Sequence, residues 1–379
     1  MLMVRANLDS SSLTGGETIA KRTFKLNRTH FMRRLEKLQK ANSILEFQLE
    51  LSKLREDLLE PKRALDLFQS EPFDEITYQS ASLFSQIEQM TGSKTLLRGQ
   101  YYLARLKKSL SQKRYAPYSD IDLNRWQEYE DVITDSLWLF DKRDSSGAHL
   151  GWYWGNFVPQ IPRQLMIRYT KKGEWVLDPF LGSGTTLIEC RRLRRNGVGV
   201  ELNHEVADAA RKLIDKEPNE NGMKTNVLVG DSKEIDYRSI LAREGIKSFQ
   251  LAVLHPPYYD IIKFSNLKED LSNSSSVKEF LSGFGEVIRN LTPYLDKGRF
   301  LVVVIGDKYQ QGEWIPLGFY CMEEVKKHDY CLKGIVVKNF EETRSKRNQK
   351  ELWRYRALAG GFYIFKHEYI LIFKKEKHL

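Results

Sequence analysis

Only three cysteines occur in 379 residues, Cys190, Cys321 and Cys331, and they show neither zinc spacing nor the even count of a disulfide framework. A cysteine-built metal centre is thereby excluded, and three small buried side chains in a reducing interior are expected. No apolar run approaches the ~18 residues that a membrane span needs, and the N-terminus lacks the apolar core of a secretory signal. The expectation is a soluble, cytoplasmic protein with no membrane partner. Internal repeats are absent, and so is the GxGxxG fingerprint, which argues against a nicotinamide dinucleotide. Charge is abundant instead: 60 Lys and Arg against 50 Asp and Glu leave a net +10, which suits a polyanionic partner.

The stretch WVLDPFLGSGTTLIECRRLRRNGVGVELN, residues 175–203, organises the rest. Trp175, Val176 and Leu177 form a short apolar strand, and a turn through Asp178-Pro179-Phe180 and Gly182-Ser183-Gly184 follows. A helix begins at Thr185, with Leu187, Ile188 and Leu193 near helical spacing, and Gly197 is expected to close it before a second strand, Val198 to Val200, that ends in Glu201. Glycines in such a turn let backbone approach a ligand closely, and an acid after the second strand can accept from ribose hydroxyls. The full string Asp178-Pro179-Phe180-Leu181-Gly182-Ser183-Gly184-Thr185-Thr186 resembles the S-adenosylmethionine loop of DNA amino methyltransferases, the adenine-N6 and cytosine-N4 enzymes of bacterial modification systems.

That resemblance implies an α/β fold: a three-layer αβα, Rossmann-like S-adenosylmethionine-dependent methyltransferase domain over residues 131–379. It assigns cofactor contacts to Asp178, Pro179, Phe180, Gly182, Ser183, Gly184, Thr185 and Thr186, with Glu201 on the ribose. Upstream, Asn156, Phe157, Pro159 and Gln160 are similar to the family's aromatic-proline segment, which would set Phe157 beside the sulfonium, where a ring face attracts a cation. A third strand, Val227 to Val229, leads to Gly230-Asp231, and Asp231 resembles the family acid that accepts from the adenine amino group. The fourth, Gln250 to Leu254, delivers His255-Pro256-Pro257-Tyr258.

The tetrapeptide has a chemical rationale. The exocyclic amino nitrogen of adenine or cytosine is a poor nucleophile, because its lone pair is delocalised into the ring. Accepting its protons frees that pair, two prolines stiffen the loop, and Tyr258 can stack on a base flipped out of the duplex. The family has Asp, Asn or Ser in the first position, whereas this chain has His255. A neutral imidazole still accepts with one nitrogen, but an imidazolium does not.

Outside this core, residues 1–27 read as a flexible arm and 28–114 as an all-helical N-terminal domain, suited to DNA contact or homodimerisation. Its apolar positions recur at three and four: Phe31, Leu35, Leu38; Phe47, Leu51, Leu54, Leu58; Ile76, Leu83, Ile87, Met90; and Leu96, Leu103, Leu106, Leu110. Residues 115–130 are expected to link it to the catalytic domain. Beyond the tetrapeptide, Lys263 with Asp260 and Ser265 falls in a loop over the pocket. Further on, a helix near 277–291 precedes the buried strand RFLVVVI, residues 299–305, and two late strands form an antiparallel pair. Between those strands lies a basic insertion, 338–361, whose Arg344, Lys346, Arg347, Lys350, Arg354 and Arg356 are interleaved with Trp353 and Tyr355. Arginines and lysines neutralise phosphates and aromatics wedge or stack, so duplex DNA is the expected partner there. No large recognition domain is expected after Lys375, so recognition is assigned to the insertion, with the helical domain as a second contributor. RNA as substrate, or a catalytically inactive nucleic-acid-binding relative in which His255 has abolished chemistry, are the alternatives. Nothing resembles a metal or nuclease site, so any restriction endonuclease would be a separate protein.

Overall fold

A computed structural model describes residues 23–69, 72–340 and 350–376. The chain divides into two compact units, one comprising residues up to 116 with 121–130, the other 117–120 with 131–379. The expected linker is therefore shared between the units. It contains a bridge from Tyr115 to Asp122 and a 3-10 segment, Leu123–Glu128.

The N-terminal unit runs β1 (Thr23–Asn27), α1 (Arg28–Gln39), α2 (Ile44–Leu59), α3 (Leu65–Phe68), β2 (Glu75–Gln79), α4 (Ser80–Thr91) and α5 (Leu96–Ser111). Helix starts follow capping chemistry: Asn27, Ser43 and Thr95 each accept from a backbone amide in the first turn. The predicted stripes Phe31, Leu35, Leu38 and Phe47, Leu51, Leu54, Leu58 are buried together with Leu103, Leu106 and Leu110 in one core. Two expectations need correction. The unit is not wholly helical, and residues 23–27 are not part of an arm, because β1 pairs antiparallel with β2, Leu26 opposite Ile76. Leu26 and Tyr78 are completely buried, so this ribbon closes an apolar face that the helices leave open. Ile76, expected on a helix, lies on that strand. The rest of the arm, residues 1–22, lies outside the described residues.

The second unit carries β3 (Leu137–Trp138), α6 (Gln160–Tyr169), β4 (Trp175–Asp178), α7 (Thr185–Leu193), β5 (Asn196–Glu201), α8 (His204–Ile214), β6 (Thr225–Val229), α9 (Tyr237–Glu244), β7 (Phe249–Leu254), α10 (Val277–Leu291), β8 (Leu295–Ile305), β9 (Lys308–Gln310), β10 (Glu313–Ile315), α11 (Leu317–Lys326), β11 (Tyr330–Asn339), α12 (Lys350–Gly360) and β12 (His367–Lys375). Eight strands form one sheet in the order β3-β11-β12-β8-β7-β4-β5-β6. From β6 to β8 neighbours are parallel, while β12 runs antiparallel to both β8 and β11.

Alternation along the strands builds two cores. On β8, Phe300, Val302 and Val304 face α6, α7 and α8, whereas Leu301, Val303 and Ile305 face α9, α10 and α11. This is the three-layer αβα arrangement expected. Helix α7 ends sooner than the glycine pattern suggested: Arg194 takes the left-handed conformation, φ 61°, and Gly197 already lies within β5. A Cβ on Gly197 would come within 2.4 Å of Leu187, so that glycine serves close helix-on-sheet packing. Cys190 and Cys321 are buried and Cys331 is partly exposed, all unpaired. Among the described residues no helix is long and apolar enough to cross a membrane.

Candidate active site

Parallel strands β4, β5, β6 and β7 end on the same edge of the sheet, and the loops that leave them surround a cavity of about 690 Å³. Its wall includes Pro179, Phe180, Gly182 and Ser183 after β4, Glu201 closing β5, Asp231 after β6, and His255, Pro256, Pro257 and Tyr258 after β7. Phe157 and Asn156 complete it from the segment before α6. The two loops singled out from sequence, GSGTT and HPPY, thus open on one space.

The glycine turn is held from behind. Asp178 is fully buried, accepts from the Phe180 amide at 3.0 Å and takes the Thr186 hydroxyl on its other oxygen. Burial pushes its carboxyl up to about 7, against those hydrogen bonds. Thr185 donates to Asn156 at 2.8 Å. Gly184, at φ 87°, starts α7 in a conformation that side chains disfavour, and a Cβ there would lie 2.9 Å from Ile214. Asp178, Gly184, Thr185 and Thr186, expected to touch a ligand, therefore do not line the cavity; they shape the turn that does. Gly182 offers its amide to Glu201 at 2.9 Å, and the other Glu201 oxygen accepts from Asn203. Burial raises the Glu201 pKa, opposed by those two amides. Asp231 pairs with Lys233 at 3.3 Å.

At the opposite wall, His255 Nε2 lies 3.1 Å from the Tyr258 hydroxyl, which donates to Glu368 at 2.7 Å. Glu368 faces Lys338 across the β11–β12 register and pairs with it at 3.1 Å; both are buried. The His255 ring is edge-on to Phe157, centroids 4.8 Å apart. Desolvation pushes the imidazole down to about 4, Glu368 opposing and Lys338 adding to the fall. At neutral pH the ring is therefore uncharged. Tyr258 fits because residue 306 is glycine: a Cβ there would meet its ring at 2.9 Å.

Several wall residues had gone unnoticed in the sequence. Tyr153 and Phe264 stack at 5.7 Å beside the glycine turn, and Asp270 takes the Ser265 hydroxyl at 2.7 Å. Tyr153 was at least within an aromatic cluster, while Glu368 had no local signal; Lys338, expected to open the basic insertion, instead belongs to β11 and is buried against Glu368, so the insertion begins after that strand. Of the nucleic-acid candidates, Lys263 is exposed and off the cavity wall, and Asp260 pairs with Lys308. Arg354 and Arg356 project from α12, Arg356 over the Trp353 ring at 5.2 Å, beside exposed Leu352, Tyr355 and Leu358. Arg344, Lys346 and Arg347 lie outside the described residues, and Lys350 begins α12 without a described side chain. No group of acids, histidines or cysteines among the described residues could hold a metal.

A parallel sheet carrying a glycine turn after one strand and acids after the next two has the arrangement by which open α/β folds receive ligands at the carboxyl ends of their strands. The chain matches the family model described as DNA methylase, of the N6 and N4 type, over residues 75–212 and 249–379, and it belongs to that family. S-adenosyl-L-methionine is accordingly its cofactor, and the cavity fits it in size, in its acid-tipped strands and in its aromatic wall. Curated relatives include the type II methyltransferases M.Cfr9I of Citrobacter freundii, 37% identical over 24% of this chain and 28% of its own length, and M.MthZI of Methanothermobacter thermautotrophicus, 40% identical over 31% of each. M2.DpnII of Streptococcus pneumoniae is 35% identical over 26% of this chain and 35% of its own. The matched segments span about a third of these relatives. A solved S-adenosylmethionine-dependent methyltransferase of Methanosarcina mazei superposes with a TM-score of 0.39 at 13% identity, covering 56% of this chain and 98% of the other.

Proposed function

We propose that the protein is a DNA methyltransferase that moves a methyl group from S-adenosylmethionine to the exocyclic amino nitrogen of a flipped-out adenine (N6) or cytosine (N4) within a specific DNA sequence. The observation that carries this is the single cavity shared by Gly182, Ser183, Glu201 and Asp231 on one side and His255 to Tyr258 on the other. Donor and acceptor are then held side by side, so that proximity and orientation lower the barrier.

When bound, the cofactor supplies an electrophilic methyl group on a sulfonium. The chain's own residues do the rest. The Glu201 carboxylate accepts from ribose hydroxyls, and Asp231 from the adenine amino group of the cofactor. Phe157, buried at the cavity wall, sets a ring beside the positive sulfur. A target base enters opposite, where the uncharged His255 accepts a hydrogen bond from its amino group. The stiff Pro256-Pro257 pair presents a backbone carbonyl for the second amino hydrogen, and the Tyr258 ring bounds the base. Arg354 and Arg356 on α12, with the basic residues before them, face the phosphate backbone of duplex DNA. The N-terminal unit offers a second DNA contact or a homodimer surface, and a cognate restriction endonuclease would be a separate chain.

Labelled methyl transfer to duplex DNA, followed by mass spectrometry of the nucleosides, tests this reading. N6-methyladenine or N4-methylcytosine in DNA is the expected product. Label in RNA alone, or none in either polymer with intact cofactor binding, would overturn it.

A further inference from the structure

We infer that Glu368, on β12, is a positioning residue for the catalytic imidazole: acting through Tyr258, it fixes the tautomer of His255 that leaves Nδ1 as the acceptor for the target amino group. The inference rests on the methyl-transfer reading above, which it deepens.

The argument is one of counting hydrogens. The Tyr258 phenol has a single hydrogen and two neighbours that could take it, Glu368 Oε2 at 2.7 Å and His255 Nε2 at 3.1 Å. A carboxylate is a stronger acceptor than an imidazole nitrogen and here the nearer one, and Lys338 pairs with its other oxygen at 3.1 Å. The phenol hydrogen therefore goes to Glu368. His255 Nε2 can then contact the phenol oxygen only by donating, so the neutral ring carries its hydrogen on Nε2 and its lone pair on Nδ1. Among the described residues no hydrogen bond reaches Nδ1, and it is not among the sealed polar atoms. Nδ1 thus stays accessible on a residue that lines the cavity. Were Glu368 neutral or absent, the phenol could donate to Nε2, and the ring would turn a donor toward an amino group that needs an acceptor. The charged groups near the ring are Glu368 from β12 and Lys338 from β11, while Arg143, Asp307 and His367 stand elsewhere on the cavity wall.

The step balances. The amino nitrogen forms a bond to the methyl carbon, the carbon–sulfur pair stays with sulfur, and the proton shed by nitrogen passes to His255 Nδ1. The resulting imidazolium keeps its Nε2–H on Tyr258, and the Glu368 carboxylate behind the phenol favours the new positive charge. A weakly basic imidazole is enough here, because a methylated aminium nitrogen attached to an electron-poor base is a strong acid that regains conjugation when it sheds its proton.

Nitrogen-15 NMR of the protein labelled at histidine, at neutral pH, reads the tautomer directly. We expect His255 with a protonated Nε2 and an unprotonated Nδ1, and a mixture or reversal in Glu368→Gln and in Tyr258→Phe. Kinetics supply the second readout: Glu368→Gln is expected to lower kcat by about tenfold to a hundredfold while cofactor affinity stays within about twofold. In a His255→Asn background, where the acceptor is an amide oxygen with no tautomer to set, the same substitution is expected to cost little. An unchanged His255 tautomer in Glu368→Gln, or equal kcat losses in both backgrounds, overturns the inference. The NMR result needs no turnover, so a wild-type protein that methylates nothing would sink the proposed function while leaving the tautomer outcome to be judged separately. Retained cofactor binding distinguishes a folded variant from a collapsed one.

Discussion

On the cofactor side of the cavity, Gly182 and Glu201 bond to each other across 19 positions of sequence; on the acceptor side, Tyr258 bonds to Glu368 across 110. The first wall is one strand-turn-helix-strand unit whose parts are neighbours in the chain. The second is assembled by strand register, because Lys338 meets Glu368 only where β11 pairs with β12, and both reach the HPPY loop only because β12 lies beside β8. A wall made of contiguous residues can be read and damaged locally. A wall made by register depends on the whole sheet edge.

The largest effect tests the edge. Phe373 on β12 is fully buried, and Phe373→Ala should remove about 3–5 kcal/mol of stability in chemical denaturation. A loss below about 1 kcal/mol would mean that β12 is not integral to the core. Next, Gly184→Val attacks the contiguous wall: a side chain at φ 87° that also collides with Ile214 should cost about 3 kcal/mol. Cofactor binding should fall with it, since the turn carrying Gly182 and Ser183 would move; calorimetric titration checks this.

Acid sensitivity separates the walls further. The folded His255 pKa of about 4 lies below its unfolded value of ~6.5, so the unfolded chain binds the proton first. The stability tied to this neutral ring is complete above about pH 6.5 and is lost as pH falls toward 4. Relative to His255→Asn, the wild type should lose on the order of 2 kcal/mol across that window, with the transfer rate failing near its lower end. Parallel stability curves for the two proteins would refute the assignment. The smallest effect is Glu201→Gln, expected to weaken cofactor binding about tenfold without changing the His255 acid behaviour. An unaltered dissociation constant would remove Glu201 from the ribose role.

These differences explain what could be read beforehand. The glycine turn, Glu201, Asp231 and the tetrapeptide each sit at the end of a strand of four to six residues whose apolar run is visible in the sequence, so their order along the chain already placed them on one edge. For Asp178 and Thr186 the motif does not say which of its members face outward; both are buried and bonded to each other behind the turn rather than on the cavity wall. Glu368 was invisible, since a charged residue on a strand otherwise reads as surface, and its burial is compensated by partners distant in sequence, Lys338 and the Tyr258 hydroxyl. The β1–β2 ribbon was missed for a similar reason: Leu26 and Ile76 meet across 50 residues, and five-residue strands carry little periodic signal.

The strand order has a consequence for how the molecule comes into being. Strand β12 is hydrogen-bonded on both sides, to β8 and to β11, yet it follows every one of its sheet partners in sequence. During synthesis β8 must wait with an open edge, and β11 cannot dock against it, until residues 367–375 leave the ribosome and slip between them. Every loop around the cavity that follows β4 to β7 is therefore made before the strand that braces Tyr258, and that brace is the last part of the wall to be supplied.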